Sequence, residues 1–277
     1  MEHIEGAFKS NRDLKIYYQG WLPETESKAV IIIVHGLGEH SERYDNVVNH
    51  FVRLGYAIYG FDLPGHGKSG GEREFIHEFK DYSDTLTRYK KMVKKWQPDK
   101  SIFILGHSMG GLIVTEYLID HSDDFQGAVI SAPAITIPDN INPLTVFAGK
   151  VFSKIVPKMG IMALDPNLIS RDEGVVEDYI EDPLVFHGKT TARLSAEMLR
   201  AIMRVNDEMR EITAPLIVLQ GSEDKLVNPQ GSKMLYEGAS SEDKTLKIYD
   251  GLFHEVFNEP EREKVLTDVA SWLNARL

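Results

Sequence analysis

The residues best suited to chemistry in this 277-residue chain begin with a serine in a glycine-rich turn. The sequence G-H-S-M-G at residues 106–110 directly follows an apolar run at 101–105 and directly precedes a helical pattern. A G-x-S-x-G turn between a strand and a helix holds its serine in a strained conformation and exposes the hydroxyl at the end of the strand. The flanking glycines are needed because the backbone must turn sharply there. Ser108 is therefore the candidate nucleophile.

A serine hydroxyl is a weak nucleophile at neutral pH, so the motif requires a partner base. A histidine must take the proton, and a carboxylate must hold that histidine in the correct tautomer. Where the serine occupies such a strand-to-helix turn, the chain order is serine, acid, histidine, and the histidine follows the last strand. Of the ten histidines, His254 alone lies beyond residue 187, and it follows the apolar run at 246–249. His254 is therefore the candidate base.

Two neighbouring carboxylates compete for the role of the acid. Glu223 and Asp224 follow the apolar run at 215–220, which is where this chain order requires a carboxylate. Asp224 is the preferred candidate. Spacing alone leaves Glu223 open as the alternative, because it is adjacent and has the longer side chain.

Acyl transfer also needs two backbone N–H donors for the oxygen of its tetrahedral intermediate. One comes from the residue after the nucleophile, which is Met109. The second is expected in the loop after an early strand, where the sequence H-G-L-G at residues 35–38 follows the apolar run at 29–34. We expect the Leu37 amide to be that donor.

The elements that must position these residues follow an alternating pattern. Short runs rich in Val, Ile and Leu alternate with amphipathic helical patterns, which is typical of a doubly wound, mostly parallel α/β sheet covered by helices on both faces. The predicted strands are 29–34, 57–62, 101–105, 128–131, 215–220 and 246–249, and the predicted helices are 82–96, 111–120, 231–238 and 261–277. Residues 6–21 are expected to form an antiparallel hairpin.

The alternation is interrupted once, by a predicted helical insertion. About 70 residues after Pro133 contain no convincing strand, which is longer than an ordinary connection. We therefore expect a core formed by residues 1–133 and 206–277 and a helical cap formed by 134–205. Apolar residues recur at helical spacing over 144–155, with lysines on another face. This apolar side either packs on the sheet domain, or it lines an acyl site or touches a membrane.

Composition and false motifs exclude several other classes of protein. The net charge of −11 argues against nucleic-acid binding. No apolar run approaches the length of a membrane helix, and the first 20 residues lack the apolar stretch of a secretory signal, so a cytoplasmic protein is expected. The G-x-G-x-x-G match at residues 65–70 opens no helical pattern, so we expect no nucleotide cofactor. The absence of cysteine and of an H-E-x-x-H motif predicts no metal site.

Nearly end to end, the chain resembles the monoacylglycerol lipases and the related lysophospholipase-like α/β-hydrolases. Six stretches carry the resemblance: HGLGEHS at 35–41, DLPGHG at 62–67, GHSMG at 106–110, DPLV at 182–185, QGSED at 220–224 and KTLKIY at 244–249. The second and third recur in many hydrolases. The others are more particular to this group, and DPLV lies inside the predicted cap, where hydrolase families usually diverge.

The resemblance implies an α/β-hydrolase fold with a cap over a narrow acyl tunnel, no cofactor, and hydrolysis of a monoacylglycerol through an acyl-enzyme. It also implies that Glu39 and Arg43 border the polar end of the site. They either hold the glycerol head group or form an ion pair that supports the oxyanion loop. Phe257 departs from the mammalian members, in which a second histidine is expected, and so leaves the head-group contact there open.

Three alternative functions are compatible with the same residues. A general carboxylesterase acting on short acyl chains and a lysophospholipase would use the same nucleophile, base and acid. A non-catalytic ligand receptor could be built on the same fold, because fold alone does not determine function. Such receptors commonly lack part of the machinery, whereas this chain has every part in order.

Overall fold

A mostly parallel sheet of eight strands forms the centre of the computed structural model, which describes residues 1–137 and 152–277. The spatial order of its strands is β1-β2-β4-β3-β5-β6-β9-β10. The first two pairs in this order are antiparallel and the remaining pairs are parallel. The strands are β1 (Glu2–Lys9), β2 (Lys15–Leu22), β3 (Ala29–Val34), β4 (Tyr56–Phe61), β5 (Ile102–His107), β6 (Gly127–Ser131), β9 (Leu216–Gly221) and β10 (Lys244–Tyr249).

Helices cover both faces of this sheet. The described helices are α1 (Asp45–Arg53), α2 (Lys80–Trp96), α3 (Met109–Asp120), α4 (Glu173–Glu181), α5 (Ala192–Glu208), α6 (Gln230–Gly238) and α7 (Arg262–Asn274). Alternate residues of a strand point to opposite faces. Val30, Ile32 and Val34 of β3 accordingly join a core with α2, α3 and α5, whereas Ile31 and Ile33 join a second core with α1 and α7. The prediction of an α/β fold with a mostly parallel sheet is confirmed.

Outside the insertion, the predicted strands and helices are all present, with ends displaced by four residues at most. The predicted hairpin begins four residues early, at Glu2, and among the parallel strands the largest differences are at β5, which continues to His107, and at β10, which begins at Lys244. Helix α1 was not predicted, although it buries Val47, Val48 and Phe51. Parallel strands buried on both faces give a long apolar signal, whereas a nine-residue helix offers fewer than three turns of periodicity.

The segment between β6 and β9 contains α4, α5 and a small antiparallel sheet of β7 (Gly160–Met162) and β8 (Thr190–Thr191). The sequence pattern did not predict these two strands, which are too short to show a period. Helix α5 continues to Glu208, three residues past the expected end of the cap. Most of the predicted helix at 144–155 lies outside the described residues. No helix within the described ranges has both the length and the apolar content needed to cross a bilayer.

Hydrogen bonds and ion pairs attach this segment to the loop that contains Glu74 and to α3. Thr191 caps the start of α5, where its Oγ1 accepts a hydrogen bond from the Leu194 amide. The same hydroxyl donates a hydrogen bond of 2.6 Å to the Glu74 carbonyl oxygen. Arg204 of α5 pairs with Glu116 and Asp120 of α3 at 2.6 and 2.8 Å. Helix α5 therefore lies against the helix that begins at the serine turn.

The start of α3 is pressed against the end of β3 at Gly110. A Cβ atom added there would lie 2.0 Å from the Val34 carbonyl oxygen and 2.5 Å from that of His35. No side chain fits such a distance. This contact places the serine turn beside the loop that follows β3.

We expect Gly110→Ala to lower the free energy of unfolding by about 3 kcal/mol, because the added methyl group would overlap backbone atoms that cannot rotate away. Urea unfolding followed by circular dichroism measures the change. Gly174→Ala is the matched control, because its added Cβ would come no closer than 3.3 Å to any neighbour. Equal stability of the two variants would contradict the role assigned to the Gly110 contact.

Candidate active site

Ser108 lies between β5 and α3 in a strained backbone conformation, with φ 54° and ψ −117°. A non-glycine residue in such a region costs about 1–3 kcal/mol, and surrounding contacts must hold it there. The Ser108 amide donates to the Ser131 carbonyl oxygen at 2.9 Å, and its own carbonyl oxygen accepts from the Leu112 and Ala134 amides at 3.0 and 3.1 Å. The serine is half-buried between two buried neighbours. The structure therefore has the strained turn that the sequence motif predicted.

His254 lies in the loop after β10 and reaches the serine turn. Its ring centroid is 4.7 Å from that of His107, the residue immediately before Ser108. Close packing at the end of β9 makes this approach possible. A Cβ atom added to Gly221 would lie 2.1 Å from the Phe253 carbonyl oxygen, so the loop crosses directly over this glycine. The structure thus brings the candidate base, from the far end of the chain, into contact with the residue that precedes the candidate nucleophile.

Asp224 is the carboxylate that contacts this histidine. Its Oδ2 lies 2.7 Å from His254 Nδ1 and accepts a second hydrogen bond from Gln220 Nε2 at 2.8 Å. Its Oδ1 accepts from the Leu226 and Val227 amides at 2.9 and 3.0 Å. Burial raises the pKa of Asp224, but the charge and hydrogen bond of His254, together with these donors, outweigh burial and leave the pKa below its ordinary value.

The same geometry separates the two acid candidates. Glu223 is exposed and donates its amide to the Leu252 carbonyl oxygen, whereas the Asp224 side chain is fully buried against His254. An ionised Asp224 accepts a hydrogen bond from His254 Nδ1–H, so Nε2 is the basic nitrogen of the ring. Of the two carboxylates, that of Asp224 is therefore the one in contact with the candidate base.

Two further histidines beside the turn have structural contacts. His35 Nδ1 donates to the Gly36 carbonyl oxygen at 2.8 Å, and its Nε2 accepts from the Leu63 amide at 2.9 Å. Burial, followed by the neighbouring His254, lowers the pKa of His107 to about 4. His107 is therefore neutral at neutral pH and adds no positive charge beside His254.

The loop after β3 presents backbone donors to the serine. A Cβ added to Gly36 would lie 3.3 Å from Ser108 Cβ, so the loop passes close to the nucleophile. Gly38 adopts a positive φ of 74°, which turns the chain away after Leu37. Within residues 1–137 and 152–277, neither the Leu37 amide nor the Met109 amide donates to a protein acceptor. The loop and the helix start therefore each offer an unused N–H beside Ser108.

A buried cluster of three charges, which we call the Arg43 clamp, consists of Glu39, Arg43 and Glu255. Arg43 Nη1 donates to Glu39 Oε2 at 2.9 Å and to Glu255 Oε1 at 2.7 Å, and Nη2 donates to Glu255 Oε2 at 2.9 Å. The three side chains are 6–9% exposed. The clamp joins the loop after β3 to the loop that carries His254.

Neighbouring polar groups complete the bonding of the clamp. Glu39 Oε1 accepts from the Gly36 amide at 2.5 Å and from the Tyr44 hydroxyl at 2.9 Å. The Arg43 guanidinium lies over the ring of Tyr179 from α4, at 4.6 Å from its centroid. The segment between β6 and β9 therefore also contacts the clamp. These bonds favour the support of the oxyanion loop over the other predicted role of Glu39 and Arg43.

Sequence reasoning missed several members of this site. Glu255 immediately follows His254, and its adjacency was the available signal, but its pairing with Arg43 spans 212 residues. Gln220 lies within the QGSED stretch and holds both Asp224 and, through its Oε1, the Ser232 hydroxyl at 2.8 Å. Phe257 is buried, and its side chain has no polar atom that could contact a head group.

An apolar groove of about 410 Å³ lies next to the Ser108 turn and the Asp224 loop. Its described lining includes Ala134, Ile137, Met198, Ile202, Leu226 and Val227. Two of these residues also touch the polar site directly. The Ala134 amide binds the Ser108 carbonyl oxygen, and the Val227 amide binds Asp224. The groove therefore extends from the serine turn towards α5.

Comparison with known proteins identifies the family. Residues 25–261 match the family model described as serine aminopeptidase, S33. The chain belongs to this family. Among the relatives of this S33-family protein is a monoacylglycerol lipase of Mycolicibacterium smegmatis, 36% identical over 273 residues, covering 99% of this chain and 98% of the relative. A monoglyceride lipase of Homo sapiens is 32% identical, covering 94% of this chain and 87% of that protein.

The solved structures agree with these relatives. The crystal structure of a Paleococcus ferrophilus monoacylglycerol lipase superposes with a TM-score of 0.82 at 31% identity, covering both chains completely. The S33-family protein is accordingly a serine hydrolase with the α/β-hydrolase fold. The resemblance to monoacylglycerol lipases that the sequence motifs indicated is confirmed.

The Arg43 clamp gives this S33-family protein a specific dependence of stability on pH. Burial raises the pKa of Glu255, but the Arg43 charge and hydrogen bonds outweigh it and hold the pKa at about 2, against an ordinary value of 4.5. Because the folded-state pKa is depressed, the stabilisation is complete above about pH 4.5 and is lost as the pH falls towards 2.

We therefore expect the free energy of unfolding of Glu255→Gln to fall less than that of the wild type between pH 5 and pH 3, by about 2 kcal/mol. Urea unfolding at several pH values measures both curves. Glu223→Gln, which removes an exposed carboxyl group, should follow the wild type. A Glu255→Gln curve parallel to that of the wild type would refute the assignment.

Proposed function

We propose that this serine hydrolase cleaves monoacylglycerols to a fatty acid and glycerol. The observation that carries the proposal is the 2.7 Å contact between Asp224 and His254, placed beside a strained serine at the end of a parallel strand. The named relatives are monoacylglycerol lipases, and this chain spans nearly their whole length. The roles of the individual residues below belong to the same proposal.

In the proposed mechanism, Ser108 Oγ attacks the ester carbonyl while His254 Nε2 takes its proton. Asp224 stabilises the imidazolium that forms. The Leu37 and Met109 amides donate to the oxyanion, which is the strongest electrostatic contribution in such sites. His254 then gives its proton to the departing glycerol oxygen. Water hydrolyses the resulting acyl-Ser108 ester by the same proton transfers, and the fatty acid leaves.

Glu39 and Arg43 act in this proposal by positioning the loops. Three donor contacts of Arg43 are already engaged by two carboxylates, and both Glu39 oxygens are bonded. Moving either side chain towards a head group would weaken a buried charge pair, which is costly, so both are better suited to holding the loops. The clamp instead holds the Leu37 amide and His254 at a fixed separation.

The apolar groove supports a long acyl chain over a short one. Its 410 Å³ volume lies in the range of small-molecule sites, and its walls are largely aliphatic. A fatty acyl chain gains free energy for each methylene buried there, whereas an acetyl group would leave the groove empty. A peptide would bring backbone amides to these walls, which offer few partners for them. A fatty ester therefore fits better than the peptide suggested by the family description.

Exposed apolar side chains gather on the proposed cap, and we propose that they contact a lipid surface. Ile155 and Met159 are 72% and 53% exposed, and Ile161 and Met162 are nearly half exposed. Lys154 is exposed among them, which suits an anionic membrane surface. Contiguous exposed apolar residues of this kind commonly mark an interaction surface. The lipid substrate would then be taken up from the surface on which it resides.

Ser108→Ala should lower kcat/KM for a long-chain monoacylglycerol by roughly six orders of magnitude, and Asp224→Asn by about four. Fatty-acid release measures both, while Glu223→Gln should retain the wild-type rate within twofold. The wild type is profiled in parallel on p-nitrophenyl esters of increasing chain length, on a lysophospholipid and on an aminoacyl p-nitroanilide. A strict preference for acetyl esters or for the anilide would reject the lipase proposal.

Hydrolysis of a monoacylglycerol should rise when anionic vesicles are added. Ile155→Ser should weaken that stimulation severalfold, because it removes one exposed apolar anchor, and it should leave the rate on a soluble ester unchanged. Ile248→Ser is the matched control, since Ile248 is 40% exposed but lies on β10. Equal stimulation of all three proteins would contradict surface contact through the cap.

A further inference from the structure

Glu74 is a buried carboxyl residue in an unfavourable backbone conformation that the proposed mechanism does not use. Its φ is 48°, in a region that a long side chain seldom occupies, and the residue is only 3% exposed. Its carbonyl oxygen accepts the hydrogen bond from Thr191 described above, which helps to attach the segment between β6 and β9. Any residue could supply that backbone carbonyl oxygen. The contact therefore accounts for the backbone conformation at this position, and not for the presence of a carboxyl side chain.

The Glu74 carboxyl group has few partners of its own. Within the described residues it forms no ion pair, and its buried Oε2 atom has no hydrogen-bond partner. Burial raises its pKa to about 7, against the lowering effect of a hydrogen bond with Thr190. An unsatisfied buried carboxyl is costly, and natural structures rarely retain one without a use.

A cavity of about 320 Å³ lies between this carboxyl group and the oxyanion loop. Its walls include Leu37 and Gly38 from that loop, Tyr179 and Thr190 from the segment between β6 and β9, and Glu74 itself. A Cβ added to Gly38 would lie 3.1 Å from Glu74 Oε1, so the carboxyl group is packed against the oxyanion loop. The cavity therefore opens beside Leu37, whose amide is a proposed oxyanion donor.

We propose that this cavity binds the polyol part of the substrate alcohol, with the Glu74 carboxyl group accepting hydrogen bonds from its hydroxyl groups. The inference rests on the proposed function and names where its alcohol is recognised. In either protonation state a carboxyl group can accept hydrogen bonds, and the unpartnered Oε2 atom matches the hydroxyl donors of glycerol. The apolar groove suits the acyl chain, and the contacts of the Arg43 clamp join two loops of the site, so this cavity is the better place for the alcohol.

The same chemistry discriminates against a phosphate head group. The described lining of the cavity contains no Lys or Arg, and His187 is its one basic side chain. A phosphate placed there would be repelled by the ionised form of the Glu74 carboxyl group. Glu74 therefore favours a neutral polyol ester over an anionic lysophospholipid.

Direct binding tests the inference without turnover. The protein is used as Ser108→Ala, and the probes are a 1-O-alkylglycerol and the methyl ether of the same alkyl chain, compared by calorimetry. The glycerol ether should bind roughly tenfold more tightly, since its hydroxyl groups would satisfy a buried acceptor that otherwise has no partner. Adding Glu74→Met should abolish this preference and leave the methyl ether unchanged. A preference that persists in the Met variant, or that is absent with Glu74 present, overturns the inference.

A second variant and a control guard against misfolding. Glu74→Gln keeps the shape and one acceptor, so it should fold with an unchanged melting temperature and lose part of the preference. Glu78→Gln removes an exposed carboxyl group nearby and should keep all of it. Loss of the preference in Glu78→Gln would also count against Glu74 as its source.

Hydrolysis separates the two proposals. With Ser108 intact, Glu74→Met should lower kcat/KM for the monoacylglycerol about tenfold. The kcat/KM for the methyl ester of the same acid should stay within twofold of the wild type. The kcat/KM for an anionic lysophospholipid should not fall. If the wild type fails to cleave monoacylglycerol while the binding preference depends on Glu74, the proposed function fails and the polyol site stands. If the wild type cleaves it and the Met variant loses both esters equally, the polyol site fails alone.

Discussion

One hydrogen bond, between the buried carboxylate of Asp224 and the ring of His254, sets the requirements for the surrounding structure. A carboxylate removed from water remains ionised only when other donors replace its hydration. Two backbone amides and the Gln220 side chain supply those donors, and the Ser232 hydroxyl fixes Gln220 in turn. The residues at the end of β9 therefore hold the Asp224 carboxylate in its charged form and in one orientation. The histidine then has one defined tautomer with which to face the serine turn.

The other constraint is that the parts of the site come from distant segments of the chain. The oxyanion loop follows β3, the serine turn follows β5, and the histidine follows β10. Parallel strands bring these carboxyl ends to one edge of the sheet. Close backbone contacts at Gly110 and Gly221 then remove the remaining distance, and the Arg43 clamp fixes the first loop to the last. Precision is obtained by packing at the ends of strands, not by local sequence.

The sequence was sufficient where the signal was local and strong. The buried strands are continuous runs of Ile, Val and Leu, and the glycines around Ser108 predict its turn directly. The choice between Glu223 and Asp224 required the fold, because adjacent residues differ in direction and not in spacing. The pairing of Arg43 with Glu255 was beyond sequence reasoning, since no periodic pattern links residues so far apart. Glu74 was equally hidden, because its burial depends on the segment between β6 and β9 packing over it.

The charges of the Arg43 clamp do not cancel, since one guanidinium serves two carboxylates. Together with Asp224, this leaves the surroundings of His254 with an excess of negative charge, and His107 beside it stays neutral. Such surroundings suit an imidazolium in the transition state. They are unfavourable for the carboxylate that hydrolysis of the acyl group produces, because like charges repel in a site with little water. In the proposed mechanism, the arrangement that assists bond cleavage would therefore also promote departure of the acid product and limit its inhibition of the next turnover.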